Sequence, residues 1–394
     1  MKLCIYRGTH QIGGIAAEIS TASTRILIDM GDELSLDPNF VSAPLNIPGV
    51  TDGNGHCDAV LFTHYHGDHT GQMLRIRPEI PIYAGVLAKD IMRLSAERGG
   101  QKNEAFCRRI ETIQPFSPGK PFFIGDIQIT PFCIDHSACD NYMFLIEADG
   151  KRLLYTGDFR LHGVRGNVMD KILDRRIGMV DVVVTEGTTV SRSEHEVVTE
   201  WNLQKRVKAY LRQHKYVFVL CATTNLDRIF ALARAVPCGK YCICDEYQKT
   251  LVKVVSDRWS NLSTFYQMPK LTTYGDNILP RFQERGGLMF VRANRQFERI
   301  IRQFDPAQSI LLYSMWDGYR TKPGSNIPEF LSLTGTWAEL HTSGHASPDD
   351  LRHVIEKANP EIVIPMHTDA PQKMQALCPN RTVVLLKDGE AMTL

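Results

Sequence analysis

One hexapeptide restricts this chain more than any other segment: His64-Tyr65-His66-Gly67-Asp68-His69, directly after the apolar run of Asp58 to His64. Three imidazoles and a carboxylate this close together have no packing role. In an extended segment side chains alternate with period two, so His64 and His66 share one side, while a turn permitted by Gly67 redirects Asp68 and His69. The result is two pairs of ligands for two adjacent sites. Imidazole with carboxylate suits zinc, and manganese or iron would also fit, because selectivity among these ions comes from geometry and supply.

Two donors leave each site open, so further ligands are expected at strand ends elsewhere. His136 terminates Ile127 to Asp135, Asp158 follows Leu153 to Thr156, and His367 ends Glu361 to Met366. His345 lies in Thr342-Ser343-Gly344-His345-Ala346-Ser347, just ahead of a capped helix. Any one histidine of this kind is more often structural than a ligand; the set is what argues for ligation.

The remaining pattern predicts an α/β chain. Residues 1–186 are short β-branched or apolar runs between turn signals, including Arg25 to Asp29 and Asp181 to Glu186. Tyr142 to Ala148 and Lys151 to Thr156 flank Asp149-Gly150, a hairpin turn requiring positive φ at both positions. From Gly187 strands alternate with amphipathic helices, as in Val217 to Leu220 followed by Leu226, Ile229, Phe230 and Ala233, which points to a parallel sheet with crossover helices. Ile310 to Ser314 is a late strand of that unit, and Thr321 to Asn326 is a loop. From residue 336 the first pattern returns with a strand from Trp337 to Ser343. A helix then opens on the capping box of Ser347, Pro348 and Asp350 and carries the buried stripe Leu351, Val354, Ile355 and Ala358. A final hairpin is expected at Asp388-Gly389. A length of 394 residues exceeds what one core usually supports, in keeping with such an insertion.

Composition excludes disorder, since 43% of residues are hydrophobic and 23% charged. The net charge of +1 argues against a uniformly basic coat but leaves room for a local groove. Arg160, Arg165, Arg320 and Lys322 are candidates to grip backbone phosphates there, with Trp316 or Tyr319 either stacking on bases or packing a domain seam. His162 is expected to be a satisfied surface imidazole. Gly13 and Gly14 shape a rim and lack the flanking residues of a nucleotide-binding loop. The start of the chain meets charge and glycine too early for a signal peptide, and no apolar run of membrane-spanning length follows. A cytoplasmic protein without a membrane partner is expected. The ten cysteines lack paired C-x-x-C spacing and read as buried free thiols.

The hexapeptide carries the H-x-H-x-D-H signature of the metallo-β-lactamase superfamily, and Asp29, His136 and Asp158 fall in the order of its other motifs. Glu186 in Val184-Thr185-Glu186-Gly187-Thr188, His345 in Ser343-Gly344-His345-Ala346 and His367 in Ile364-Pro365-Met366-His367 match three further motifs. Thr223 to Arg228 matches the strand-to-helix junction of an inserted domain. The chain thus resembles the β-CASP nucleases, such as ribonuclease J and the eukaryotic pre-mRNA 3′-end cleavage subunit.

The resemblance implies an αββα sandwich, residues 1–186 and 336–394, interrupted by a β-CASP domain of mostly parallel sheet at 187–335. It implies two Zn²⁺ ions, with Mn²⁺ in their place if supply dictates. His64, His66 and His136 would hold one ion, Asp68, His69 and His367 the other, and Asp158 would bridge them, with Asp29 behind the ligands. Asp68, Glu186 and His345 would serve the chemistry, Glu186 by orienting His345, and Ser343, Gly344 and His345 would meet substrate. The implied reaction is hydrolysis of single-stranded RNA by metal-activated water, leaving 5′-phosphate and 3′-hydroxyl ends. A histidine in the third motif is similar to the RNA-processing branch, a valine to the DNA-repair branch. DNA, or a small molecule, is the alternative substrate on the same centre, and a non-catalytic RNA-binding subunit is a third reading. Two departures, Thr188-Thr189 without the usual tyrosine and Thr368 in place of glycine, lie beside the centre. Oligomeric state and endo- against 5′-exonucleolytic action stay open.

Overall fold

Alternating apolar residues build two seven-stranded sheets that face each other. The computed structural model describes residues 1–192, 197–275 and 277–394, the side chains of residues 101 and 102 excepted. In the first sheet the order is Ala391–Thr393, Lys2–Arg7, Ala16–Ser20, Arg25–Ile28, Ala59–Leu61, Ile82–Gly85 and Gln114–Phe116. In the second it is Thr382–Val383, Ile362–Met366, Val182–Glu186, Lys151–Tyr155, Asn141–Ala148, Ile127–Ile134 and Phe122–Ile124. Between them lies a core in which every second residue of each strand points inward: Leu3, Ile5, Ile26 and Ile28 meet Phe144, Ile146, Leu153, Val182, Val184 and Ile364. The intervening residues Leu145, Leu154, Val183 and Val363 face outward and are covered by helix Pro348–Ala358 through Leu351, Val354 and Ile355.

The capping box at that helix is present, with Ser347 accepting from the Asp350 N–H and Asp350 from the Ser347 N–H. Asp149 (φ 51°) and Gly150 (φ 72°) form the hairpin turn expected of them.

The insertion folds around a third sheet, in the order Thr272–Thr273, Tyr241–Cys244, Gly287–Val291, Tyr216–Cys221, Ser309–Ser314 and Trp337–Glu339, all parallel. Its central strand, Tyr216–Cys221, is buried throughout, as a strand covered on both faces must be. One side of this sheet shares a continuous apolar cluster with the outer face of the first sheet, where Leu27, Val60, Phe62 and Ile82 lie under helix Val86–Glu97. Polar contacts cross the same boundary: Arg258 pairs with Asp90 at 2.5 Å, and the Ser95 and Tyr247 hydroxyls lie 2.9 Å apart.

The structure departs from the sequence reading in four places. Trp337–Glu339 pairs with Ser309–Ser314, so residue 336 does not open the return; that strand still belongs to the inserted sheet. The first helix of the insertion starts at Glu200, while Thr188 and Thr189 bond back to His367 and Ala346, so the sandwich extends past 186. Asp388-Gly389 does not close a hairpin, because the strands on either side join different sheets, Thr382–Val383 the second and Ala391–Thr393 the first. The turn there lets the chain cross the sandwich, pinned by Gly389 N–H to the Ile5 carbonyl at 2.8 Å. Finally, helices Val86–Glu97 and Glu104–Glu111 lie in the stretch read as purely β-rich.

The ten cysteines are all free, seven of them buried. Among the described residues no helix is long and apolar enough to cross a membrane.

Candidate metal centre

Every proposed ligand stands at or just past the carboxyl end of a strand, and these strands run in a common direction. Asp29 follows Arg25–Ile28, the hexapeptide follows Ala59–Leu61, and His136 follows Ile127–Ile134. Asp158 follows Lys151–Tyr155, Glu186 ends Val182–Glu186, and His367 follows Ile362–Met366. Residues more than 300 positions apart thereby meet at one end of the sandwich.

The hexapeptide is not an extended segment with a turn at Gly67. Residues Gly67–Thr70 form a single helical turn, and Gly67 has no positive φ. Asp68 and His69 are redirected by this helix, which is held by Asp68 C=O to Ile15 N–H (3.0 Å) and His69 C=O to Met30 N–H (2.7 Å). Gly31 permits that approach, since a Cβ there would stand 1.6 Å from the Asp68 carbonyl oxygen.

Two separate clusters of ligand atoms result, and a third group, His136, Asp158 and His345, overlaps both. In the first, His66 Nδ1 lies 3.1 Å from His64 Nε2 and 3.3 Å from His136 Nε2. Ligands about 2.0–2.1 Å from a tetrahedral zinc stand about 3.3–3.4 Å apart, so these nitrogens already have the spacing of a metal's donor set. The second comprises Asp68, His69, Asp158 and His367. Asp158 Oδ2 lies 3.2 Å from His69 Nε2, 3.6 Å from His367 Nε2 and 3.8 Å from His136 Nε2, placing this carboxylate between the clusters. His69 Nε2 is buried without a hydrogen-bond partner, an orphan that a metal ion would satisfy.

On four of the five rings, those of His64, His69, His136 and His367, the opposite nitrogen is engaged, which sets the ring orientation. His136 Nδ1 donates to the Gly344 carbonyl at 2.6 Å. Thr63 Oγ1 gives its proton to Asp29 and so accepts from His64 Nδ1 at 3.0 Å. Thr188 Oγ1 donates to the His367 carbonyl and accepts from His367 Nδ1 at 2.8 Å. Asp29 Oδ2 lies 2.8 Å from His69 Nδ1. His64, His69, His136 and His367 thus turn Nε2 toward the cavity, and His66 turns Nδ1. Asp29 (φ 60°) and His367 (φ 52°) are two of the four non-glycine residues with positive φ among the described residues, a conformation that costs on the order of 1–3 kcal/mol and concentrates where side-chain placement is over-determined.

The electrostatics divide in the same way. Burial and the neighbouring imidazoles depress the His64 pKa well below the ordinary value; burial chiefly does the same at His136, and at His66 it brings the value to about 4. That cluster is neutral and offers lone pairs. Burial opposes ionisation of Asp68 and Asp158, yet His69 and His367 hold both below the usual carboxylate range. Burial likewise opposes a charge on His69, but Asp158, Asp29 and Asp68 raise its pKa well above the ordinary imidazole value. Without a cation this half of the site therefore favours the protonated form of His69.

His345 sits beside both clusters, its Nδ1 3.0 Å from Glu186 Oε2 and 3.7 Å from Asp158 Oδ2. Its side chain is 21% exposed against 1% for His69, His136 and His367. Ser343 and Gly344 place their carbonyls on Arg160, His162 and His136, and Ser343 Oγ accepts the His345 N–H at 3.1 Å.

The expected basic groove is partly absent. Arg160 is fully buried against Asp135 (2.6 Å) and Glu200 (2.9 Å), and Arg165 pairs with buried Asp227 at 3.2 Å. Both carry the seam between the domains and cannot reach a phosphate. Arg320 pairs with Asp317 at 2.6 Å, with Lys322 following it. Trp316 and Tyr319 are partly exposed and stand edge to face at 5.5 Å. His162 is buried, not superficial, and donates to the Ser343 carbonyl at 3.0 Å. Thr63, Tyr65 and Thr188 escaped the sequence reading: a lone hydroxyl beside a motif has no spacing that distinguishes it from a turn residue.

Residues 24–219 match the beta-lactamase superfamily domain, and residues 338–378 the Zn-dependent metallo-hydrolase RNA specificity domain. Ribonuclease J of Mycoplasma genitalium is 22% identical over 432 aligned positions, covering 100% of this chain and 73% of that protein. Ribonuclease J of Sinorhizobium meliloti is 22% identical over 378 positions, covering 88% of this chain but 64% of its own length. A crystal structure of a protein of unknown function from Enterococcus faecalis V583 superposes with a TM-score of 0.79 at 19% identity, over 100% of this chain and 99% of that one, and so shares the fold. The chain belongs to the metallo-β-lactamase superfamily, in the β-CASP branch that includes ribonuclease J.

Proposed function

We propose that this protein is a metal-dependent ribonuclease that hydrolyses phosphodiester bonds of single-stranded RNA and leaves 5′-phosphate and 3′-hydroxyl ends. The observation that carries the reading is His345, a partly exposed imidazole fixed through Nδ1 by Glu186 at the edge of a buried double ligand cluster. The match of residues 338–378 to an RNA specificity domain, spanning both His345 and His367, supports RNA as substrate, as does the likeness to proteins named ribonuclease J.

His64, His66 and His136 would hold one zinc ion, and Asp68, His69 and His367 the second, with Asp158 shared between them. Such a pair of dications supplies water activation at neutral pH and neutralises charge at the phosphoryl oxygen. The protein's own groups do the rest. Asp29, Thr63, Thr188 and the Gly344 carbonyl keep the rings of His69, His64, His367 and His136 in one orientation. Burial works against a charged His345, but Glu186 and Asp158 raise its pKa, so the ring carries a proton more readily than a free imidazole. With Nδ1 occupied by Glu186, Nε2 is the atom left to hydrogen-bond a phosphoryl oxygen or to protonate the departing 3′ oxygen. General-acid help of this kind contributes about 10²–10⁴-fold.

The test is hydrolysis of single-stranded RNA and DNA by zinc- and manganese-loaded protein, beside His345→Ala. RNA should be cut only with metal present, and His345→Ala should keep its metal yet lose at least about 10²-fold in rate. No cleavage of any RNA at full metal occupancy rejects the proposal; cleavage of DNA alone, or of a lactam or lactone, reassigns the substrate.

A further inference from the structure

Three consecutive carbonyls lead into His345, and each is gripped by a buried side chain. Thr342 C=O accepts from Arg228 Nη2 at 3.0 Å, and Ser343 C=O accepts from Arg160 Nη1 at 3.1 Å and His162 Nε2 at 3.0 Å. Gly344 C=O accepts from His136 Nδ1 at 2.6 Å. The segment has no helix or strand of its own to hold it, so these bonds define its path. A Cβ at Gly344 would stand 2.6 Å from Ser137 Oγ, so the path leaves no slack on that side either.

The two guanidiniums converge on one carboxylate. Glu200 Oε1 accepts from Arg228 Nη2 at 2.6 Å and from Arg160 Nη1 at 2.9 Å, and all three side chains are at most 1% exposed. Arg228 Nε lies 3.1 Å from the same oxygen and 3.2 Å from Oε2. Glu200 opens the first helix of the insertion, Arg228 lies on its second, and Arg160 belongs to the sandwich, where it also binds Asp135, the neighbour of His136. One acidic residue of the inserted domain thus anchors both arginines that hold the His345 segment. Burying two guanidiniums without a carboxylate between them is strongly unfavourable, so their placement depends on it.

We propose that Glu200 is a positioning residue: through Arg160 and Arg228 it fixes residues 342–344 and with them the reach of His345, so that docking of the inserted domain sets the geometry of the reacting centre. The kinetic part of this inference rests on the ribonuclease reading above; the structural part does not.

The experiment compares Glu200→Gln with Val255→Ala, a control that opens a cavity in the buried apolar core and removes no polar group. Amide exchange of the peptide spanning 340–347 is measured in both, together with bound zinc, kcat and KM on RNA. In Glu200→Gln, exchange at His345 and Ala346 should quicken about tenfold or more, zinc should be retained, and kcat should fall at least about tenfold with KM within about twofold. Val255→Ala should lower the melting temperature without either effect. Glu200→Asp, which keeps the charge but withdraws it by one methylene, serves if Glu200→Gln does not fold; it should show the same changes in smaller measure. Unchanged exchange at 343–346, or a kcat loss matched by the control, overturns the proposal. If wild-type protein cuts no RNA while the exchange difference persists, the functional reading falls and the positioning role of Glu200 stands.

Discussion

The hydroxyl of Tyr65 donates to the carbonyl of Thr224 at 2.8 Å, joining a residue that sits between two histidines of the proposed metal centre to the first strand-to-helix turn of the inserted domain. The same oxygen accepts the Cys139 N–H at 3.0 Å, so the segment after His136 is tied to the junction as well. The residue itself is buried.

Tyr65→Phe keeps the ring and deletes the hydroxyl, leaving the buried Cys139 N–H and the part-buried Thr224 carbonyl without their partner. Each such group costs about 1–3 kcal/mol, so the urea midpoint should move down by an amount in that range, with an unchanged slope. A midpoint equal to wild type would mean the seam does not depend on this bond.

Asp29→Asn isolates charge from shape, because asparagine tolerates the positive φ that Asp29 adopts. The substituted amide accepts more weakly from His69 Nδ1 and Thr63. Metal affinity, read by competition with a chelator, should fall about 10- to 100-fold. Undiminished affinity would remove Asp29 from the support of the ligands.

Metal uptake should release protons. The carboxylates around His69 raise its pKa well above the ordinary value, so the metal-free ring holds a proton more firmly than a free imidazole and must shed it to ligate. Affinity should therefore weaken as the pH falls. Calorimetry in two buffers of different ionisation enthalpy should show release of about one proton or more at pH 7. Equal heats in both buffers would contradict this.

Glu200 should shape acid stability. Burial pushes its pKa up, but Arg228 and Arg160 outweigh that and hold it at about 2, below the ordinary 4.5. A depressed folded-state pKa contributes stability that is complete above the unfolded value and is lost as the pH drops from about 4.5 towards about 2, here on the order of 3 kcal/mol. Glu200→Gln, less stable at neutral pH, should lack that part of the pH dependence. Parallel stability curves for the two proteins across this window would argue against the ion network.

Much of the site was legible before any fold was known, because local spacing encodes it. His64 to His69 packs four donors behind one short strand, and His136, Asp158 and His367 each close an apolar run whose length and alternation mark a strand end. Asp149-Gly150 and the capping box of Ser347 and Asp350 are equally local, since a turn or a helix start satisfies its own backbone within a few residues. Tertiary structure alone decided the rest. Arg160 and Arg165 read as phosphate grips by charge, but Asp135, Glu200 and Asp227 bury them, and nothing near the arginines in sequence announces those partners. Thr188 meets His367 across 179 positions, and the chain after Asp388-Gly389 crosses to the other sheet because the free edge beside Lys2–Arg7 lies there. Short-range periodicity specifies elements and their exposed ends; which elements become neighbours is set by the whole set of apolar faces that must be covered at once.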